Sequence, residues 1–233
     1  MKQLLLFAAI ITALTSCRRI HGSGNIIKEK KQVDNFKGIS AGSAFEVELK
    51  TGPAFSVEIE TDDNLMGLVD TRVNGDVLRI ETKGSYNIND GHFKAYITAP
   101  EINSIKSSGA ATVKALDVLK SPRKIRFDAS GAGNITAQVD APEIETEASG
   151  AGNIELSGKT KDYKADASGA GNIKTKNLQT ENAVVEASGA GNVHVRASVS
   201  LNANASGAGN IYYSGGGNVI SKSSGAGSIK KEG

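Results

Sequence analysis

The hexapeptide Ser130-Gly131-Ala132-Gly133-Asn134-Ile135 returns almost unchanged from Ser149, Ser168, Ser188, Ser206 and Ser224, with Val193 closing the fourth copy and Ser228 replacing Asn in the last. The intervals are 19, 19, 20, 18 and 18 residues. A looser copy, Ser108 to Val113, begins 22 residues before the first, and Ser23-Gly24-Asn25-Ile26 echoes it near the N-terminus. A fixed period near 20 marks a solenoid, whose repeats cannot bury a face alone and must stack on their neighbours. Low-complexity slippage would repeat the motif without amphipathic order between copies.

That order is present. One parity holds Ile125, Phe127, Ala129, then Ile135, Ala137, Val139, then Ile144, Thr146, Ala148 and Ile154, Leu156. It continues through Tyr163, Ala165, Ala167, Ile173, Thr175, and Ala183, Val185, Ala187, Val193, Val195, Ala197. The other holds Arg126, Asp128, Glu145, Glu147, Lys164, Asp166, Lys174, Lys176, His194 and Arg196. Period two with one apolar face is a half-buried strand, and no segment shows helical spacing. Each repeat therefore reads as strand, Gly-Ala-Gly arc, strand, turn. Copies running the same way pair in parallel, about 4.8 Å apart, and close into a coil without lateral edges.

The expected fold is all-β, a single-stranded parallel β-helix with coils of about 18–20 residues, right-handed by the general crossover preference. The column Ala129, Ala148, Ala167, Ala187, Ala205 should keep the coil thin. The glycines of each arc suit positive φ or a place where a Cβ would clash. Asn134, Asn153, Asn172, Asn192 and Asn210 should stack into an amide ladder. Parity is lost through the arc, so whether the ladder faces in or out stays open.

Residues 33–105 are β-rich but less regular. Phe45, Val47, Leu49 alternate, as do Phe55, Val57, Ile59, and Val77, Leu78, Ile80 follow an Asn74-Gly75-Asp76 turn. Asp62 to Asp70 suits a short helical turn. Pro53, Pro100, Pro122 and Pro142 are expected between strands, where no ladder donor is needed. The predicted β-helix domain spans 32–233, irregular over 32–105 and regular over 106–233.

The N-terminus predicts export. Met1-Lys2-Gln3 precedes an apolar run, Leu4 to Leu14, too short for a membrane span of about 20 residues but the length of a signal-peptide core. It ends in Leu14-Thr15-Ser16-Cys17, a lipobox, and Cys17 is the one cysteine of the chain. It has no internal disulfide partner and stands where a lipoprotein takes its diacylglycerol. Residues 1–16 are thus expected to be a lipoprotein signal peptide, Cys17 the lipid attachment site, and 17–31 the lipidated cysteine and a polar tether. Membrane contact is expected through the lipid, in the cell envelope, at the outer membrane, facing either the periplasm or the outside. Arg18 to Ser23 lacks an acidic run, which favours the periplasmic side, and no Asp follows Cys17.

Removing residues 1–16 takes away Lys2 and no acid, leaving 26 basic and 25 acidic side chains. That balance argues against a nucleic-acid partner, which needs a basic field. The turns are short and nearly identical, leaving no insertion to build a catalytic cleft. His21, His92 and His194 are scattered, the Gly-x-Gly runs lack the Lys-Ser/Thr of a phosphate loop, and the recurrent Ser has no His partner. No residue is assigned to catalysis or to a cofactor, and no enzyme activity is expected. The remaining metal candidate is Asp128, Glu147, Asp166, Glu186, which stacking would place in one column. Like charges about 4.8 Å apart repel by about 1 kcal/mol in water. Solvent with Lys164, Lys174 and Arg126 would offset this, and Ca²⁺ is the alternative.

The chain resembles the putative auto-transporter adhesins with a head GIN domain. The resemblance covers roughly residues 22–233 and rests on Val33-Asp34-Asn35-Phe36-Lys37-Gly38-Ile39, Val57 to Leu65, Asn74 to Ile80 and the Ser-Gly-Ala-Gly-Asn-Ile repeats. It implies a right-handed β-helix in lipid-anchored or secreted bacterial proteins, with no catalytic motif to carry over. The expected role is a non-enzymatic envelope lipoprotein acting as an interaction module, an adhesin for an unknown protein or glycan. The alternatives are a structural, periplasm-facing lipoprotein binding another envelope component, and a carbohydrate-active β-helix enzyme. The last repeat ends near Lys230-Lys231 without a covering element, so end-to-end self-association is a further expectation, opposed by lysine at the edge.

Overall fold

The computed structural model describes residues 19–84 and 86–232. In chain order its strands are β1 (Arg19–His21), β2 (Ile26–Lys31), β3 (Gly38–Ala41), β4 (Glu46–Thr51), β5 (Ser56–Asp62), β6 (Val69–Asn74), β7 (Val77–Thr82), β8 (Asn87–Asn89), β9 (Phe93–Ala99) and β10 (Ser104–Ser107). There follow β11 (Thr112–Lys120), β12 (Ile125–Ala129), β13 (Asn134–Ala148), β14 (Asn153–Ala167), β15 (Asn172–Ala187), β16 (Asn192–Arg196), β17 (Ser200–Ala205), β18 (Asn210–Ser214), β19 (Asn218–Ser223) and β20 (Ser228–Lys231). A 3-10 turn, Met66–Leu68, falls in the segment expected to turn helically.

The strands stack into a parallel β-solenoid. One wall follows a single column, Ile80, Ala41, Ser107, Ala129, Ala148, Ala167, Ala187, Ala205, Ser223. The facing wall follows Ala95, Val47, Val113, Ile135, Ile154, Ile173, Val193, Ile211, Ile229. The last six levels are the regular coils. Every residue assigned above to the inward parity of these coils is buried, from Ile125 to Ala197. The wall nearest the arc is an unbroken run of alanines over five levels, whereas Ile125, Ile144 and Tyr163 occupy the corresponding place nearer the opposite corner. Beside the arc the alanine wall faces isoleucine and valine, so one small and one large side chain fill each level there.

The two glycines of each arc answer different demands. Gly131 sits at φ +64, where only glycine rests without strain. Gly152 has ordinary φ, but a Cβ there would run into the Ala129 carbonyl of the coil before it. The asparagines form the expected ladder. Each Nδ2 donates to the Oδ1 of the preceding coil, Asn153 to Asn134 at 3.1 Å, Asn172 to Asn153 at 3.2 Å, Asn192 to Asn172 at 3.1 Å and Asn210 to Asn192 at 3.2 Å. Ser228 ends it, its hydroxyl 2.7 Å from Asn210 Oδ1. The ladder is half-buried along the rim of the arc, neither in the core nor free in solvent.

Three expectations change. Pro142 lies within β13, because β13, β14 and β15 run 15, 15 and 16 residues continuously around the corner. Its missing donor is accommodated there: Ala141 and Glu143 pair with Thr160 and Asp162, while Pro142 is skipped and exposed. Secondly, the segment expected as a tether is folded. β1 pairs in parallel with β8, and β2 pairs antiparallel with β5 from Ile26↔Asp62 to Lys31↔Val57. Thirdly, the last repeat does not stop before Lys230 and Lys231: both are part of β20, opposite Tyr212 and Tyr213.

Residues 19–99, here the cap, also depart from simple winding. β3 lies between β7 and β10, and β4 between β9 and β11. The level formed by β7 and β9 is thus the outermost of the parallel stack although it follows β3 and β4 in the chain. Beyond it β6 and β5 run antiparallel to β7 and β9, and β2 lies outside β5. The antiparallel layer closes this end, with Lys28, Lys30 and Lys31 along its last edge, a common block to further strand pairing. Large side chains fill the cap core: Phe36 packs on Phe55 at 5.1 Å and Phe45 on Phe93 at 5.2 Å between ring centres. One continuous core joins cap and coils.

Candidate interaction surface

The outer side of the wall formed by β12 and the second halves of β13 to β15 carries the stacked carboxylates. Asp128, Glu147, Asp166 and Glu186 stand in adjacent register, flanked by Lys106 and Asn204. The column forms as its spacing predicts, but its compensation differs. Lys106 Nζ reaches Asp128 at 2.8 Å. Arg126 and Lys164 turn instead to Glu145 in the neighbouring column, at 2.9 and 3.9 Å, where Lys124 joins them at 3.4 Å. The Arg126 hydrogen bond is the main reason that the Glu145 carboxyl is held below its ordinary range. Lys174 lies on the other wall, between Glu155 and His194, and does not face the column. Among the described residues no group of three or more His, Cys, Asp or Glu is placed to hold a metal ion.

Along the same wall the chemistry changes. The column holding Glu145 and Lys164 continues as Val184, Asn202 and Ile220. Val184 and Ile220 point outward, 44% and 72% exposed. With Tyr163, Ala183 and Leu201 they line a shallow, mainly apolar groove of about 380 Å³. The face therefore grades from stacked charge to an apolar trough over successive coils. Sequence parity alone had missed this trough. Its signal was the break in alternation at Ala183-Val184-Val185 and Val219-Ile220, where an apolar residue takes an outward position.

A second groove, about 540 Å³, follows the corner. Asp140, Lys159, Gln179, Lys161, Glu181 and Arg196 border it with both signs of charge. Lys159 is held by Asp140 at 3.3 Å. The cap carries a third polar group, centred on Glu60. Lys28, His92 and Tyr96 all bind its carboxylate, at 2.9, 2.7 and 2.9 Å. The Lys28 hydrogen bond leads in holding Glu60 down at about 2. Lys28 also lies over the Tyr96 ring, 4.4 Å from its centre. This cluster gave no periodic signal, since its members come from β2, β5, β9 and the loop before β9. With every oxygen engaged it is a brace for the antiparallel layer rather than a reactive site.

The histidines remain apart. His21 is 3.6 Å from Asp90, His92 is bound to Glu60, and His194 stacks on Tyr212 at 4.7 Å between ring centres. Cys17 and residues 1–16, expected to be a signal peptide, lie outside the described residues. Among those described, no helix is long and apolar enough to cross a membrane.

Comparison with known proteins agrees with this architecture. A family model described as "putative auto-transporter adhesin, head GIN domain" matches residues 35–217. A solved structure of a putative adhesin from Bacteroides fragilis superposes with a TM-score of 0.85 at 24% identity, covering 91% of this chain and all of the other. A putative lipid binding protein from Parabacteroides distasonis gives 0.74 at 20% identity over 93% of this chain and all of the other. A putative adhesin from the same organism gives 0.74 at 23% identity over 92% and all, respectively. At these identities the likeness establishes the fold. No curated protein matches the chain.

Proposed function

We propose that this chain, which belongs to the putative auto-transporter adhesin, head GIN domain family, is a lipid-anchored envelope protein whose solenoid is a non-enzymatic interaction module. The observation that carries the reading is the graded outer wall, where the column of Glu145 and Lys164, beside the four stacked carboxylates, leads into the trough between Val184 and Ile220. Such a wall presents rigid, regularly spaced polar groups beside an apolar anchor point, which is what a protein or glycan partner needs for oriented binding. The adhesin character of the family supports a place in the cell envelope or at the surface, and the lipobox ending in Cys17 supplies the anchor.

The test is capture of partners from envelope fractions by the unlipidated domain, wild type against Val184→Asp/Ile220→Asp. The double substitution should abolish capture while the fold is kept; undiminished capture would remove the trough from the reading. Protease shaving of intact cells separates a surface adhesin, which is cut, from a periplasm-facing protein, which is spared. Turnover of any polysaccharide in a substrate panel would favour the carbohydrate-active alternative. Cys17→Ala should move the protein from the detergent to the aqueous phase of a detergent split, and retention in detergent would refute the anchor. The apolar lining of the trough favours one second reading, an acyl chain as ligand, in keeping with the relative described as lipid binding. Titration with a fluorescent fatty acid tests it, binding being lost in the same double variant.

A further inference from the structure

From Arg19 onward the segment that follows Cys17 is fastened along its length. β1 runs beside β8 in the register Arg19↔Asn87 to His21↔Asn89, and the Gly22 amide donates to the Asn89 carbonyl at 3.1 Å. Asp62, Asp63 and Asn64 then clamp the following turn. Asp62, only 1% exposed, accepts the Gly24 amide at 2.7 Å, and Asp63 accepts the Ser23 hydroxyl at 2.6 Å and the Asn25 amide group at 2.9 Å. Asn64 accepts the Ser23 amide at 3.1 Å and donates to the His21 carbonyl at 2.8 Å. Gly22 is itself wedged, since a Cβ there would lie 2.6 Å from the Asp90 carbonyl oxygen. From Ile26 onward the chain is in the β2–β5 ladder.

One residue separates Cys17 from Arg19, so two Cα-to-Cα steps, about 7 Å at most, link the cysteine to the start of β1. The surface at that end is not wholly polar. Ile26, Ile27 and Tyr86 are 43%, 36% and 37% exposed, and Tyr86 directly precedes β8. Tyrosine with its apolar ring and polar tip is at home at the headgroup level of a bilayer. Basic residues accompany them at Arg19, Lys28, Lys30 and Lys31. Lys28 and Lys31 are engaged by Glu60 and Glu29, so charge plays a smaller part than position and apolar contact.

We propose that the end of the molecule bearing β1, β8 and the start of β2 rests on the phospholipid surface, held there by the clamp of Asp62, Asp63 and Asn64. This rests on the lipid-anchor reading of Cys17. The coils then project away from the bilayer. Eight steps of about 4.8 Å separate the outermost cap level from β19 and β20, placing the last coil roughly 38 Å further along the stack.

The experiment uses the full lipidated chain, whose Cys17 thiol is occupied by lipid, carrying one fluorophore at Asn87→Cys or at Ser221→Cys. Both are exposed, one on β8 and one on β19. The protein is reconstituted in vesicles of phosphatidylethanolamine and phosphatidylglycerol doped with lipids spin-labelled at the headgroup. Selective quenching at position 87, with position 221 unquenched, is the expected result. Asp63→Ala/Asn64→Ala, both on the surface, should lose that selectivity while the protein still floats with the vesicles. Flotation with equal quenching at both positions overturns the proposal and leaves the anchor standing. A wild-type chain that does not float overturns the anchor and the proposal together.

Discussion

The cap and the coils share one stack of parallel levels but close it by opposite means. In the coils each level meets only the level before and the level after, and the same few residue types recur: Ala beside the arc, Gly-Ala-Gly through the arc, Asn along the rim. In the cap a later segment, β7 to β9, slides beneath an earlier one, and strands of reversed direction cover the end. Small side chains suffice where repetition fixes the spacing. Where it does not, the cap relies on phenylalanine pairs and on carboxylates bound from several strands. Order by repetition and order by particular contacts should fail differently under substitution.

The largest contrast should come from glycine. Gly152→Ala drives a Cβ into the Ala129 backbone of the adjoining coil and should cost about 3 kcal/mol, since backbone must move to admit it. Gly67→Ala in the cap meets open space and should change stability by less than about 0.5 kcal/mol. Denaturant unfolding of both variants measures the gap. Equal losses would mean that the arcs are not the tight points of the stack.

Next in size is the alanine column. Ala167→Leu should overpack the core beside the arc and cost roughly 1–3 kcal/mol. Lys174→Ala, on the outward face, should stay within about 0.5 kcal/mol. Similar midpoints for the two would show the wall to be as yielding inside as outside.

A smaller effect is expected from the amide ladder. Asn172→Ala leaves the Asn153 oxygen and the Asn192 amide without their ladder partners. Half-buried groups recover part of that from water, so about 0.5–1.5 kcal/mol should be lost. Hydrogen exchange of the neighbouring arcs should quicken by more than that of the cap.

The last contrast is one of pH. The folded Glu60 carboxyl is lowered from 4.5 to about 2 by Lys28, with Tyr96 and His92. A depressed carboxyl contributes stability that is complete above its unfolded value and disappears as pH falls through the folded one. The contribution of Glu60 should therefore fade between about pH 4.5 and pH 2. Glu60→Gln should flatten the acid limb of the stability curve in that window and lower the stability at pH 7, where the Glu60 contribution is complete. An unaltered acid limb would assign acid sensitivity elsewhere.

The coils were legible because each inward position is set by its neighbours above and below, so alternation and period together fix the face of nearly every residue. The ladder was legible for the same reason, and its half-buried position was not, because the arc interrupts the alternation on which faces are judged. The cap resisted. Nothing in the spacing of Gly38 to Ala41 and Val77 to Ile80 says that the later strand lies outside the earlier one. Ile26-Ile27-Lys28-Glu29-Lys30-Lys31 looks like a polar lead, and only its antiparallel pairing with β5, distant in sequence, makes it part of the fold. The carboxylate column was placed correctly by register, while its cations were not, because long side chains choose partners across columns.

The asparagine ladder has a direction: every amide donates toward the N-terminal coil and every oxygen looks toward the C-terminal one, until Ser228 meets the last. Any coil therefore offers its successor the same surface that it received from its predecessor. A tandem copy of residues 153–171 would fit between existing coils with each donor facing an acceptor, lengthening the molecule by about 4.8 Å. The reach of this protein is in that sense a copy number, adjustable by duplication or loss of a 19-residue unit while the cap, which has no such unit, stays fixed.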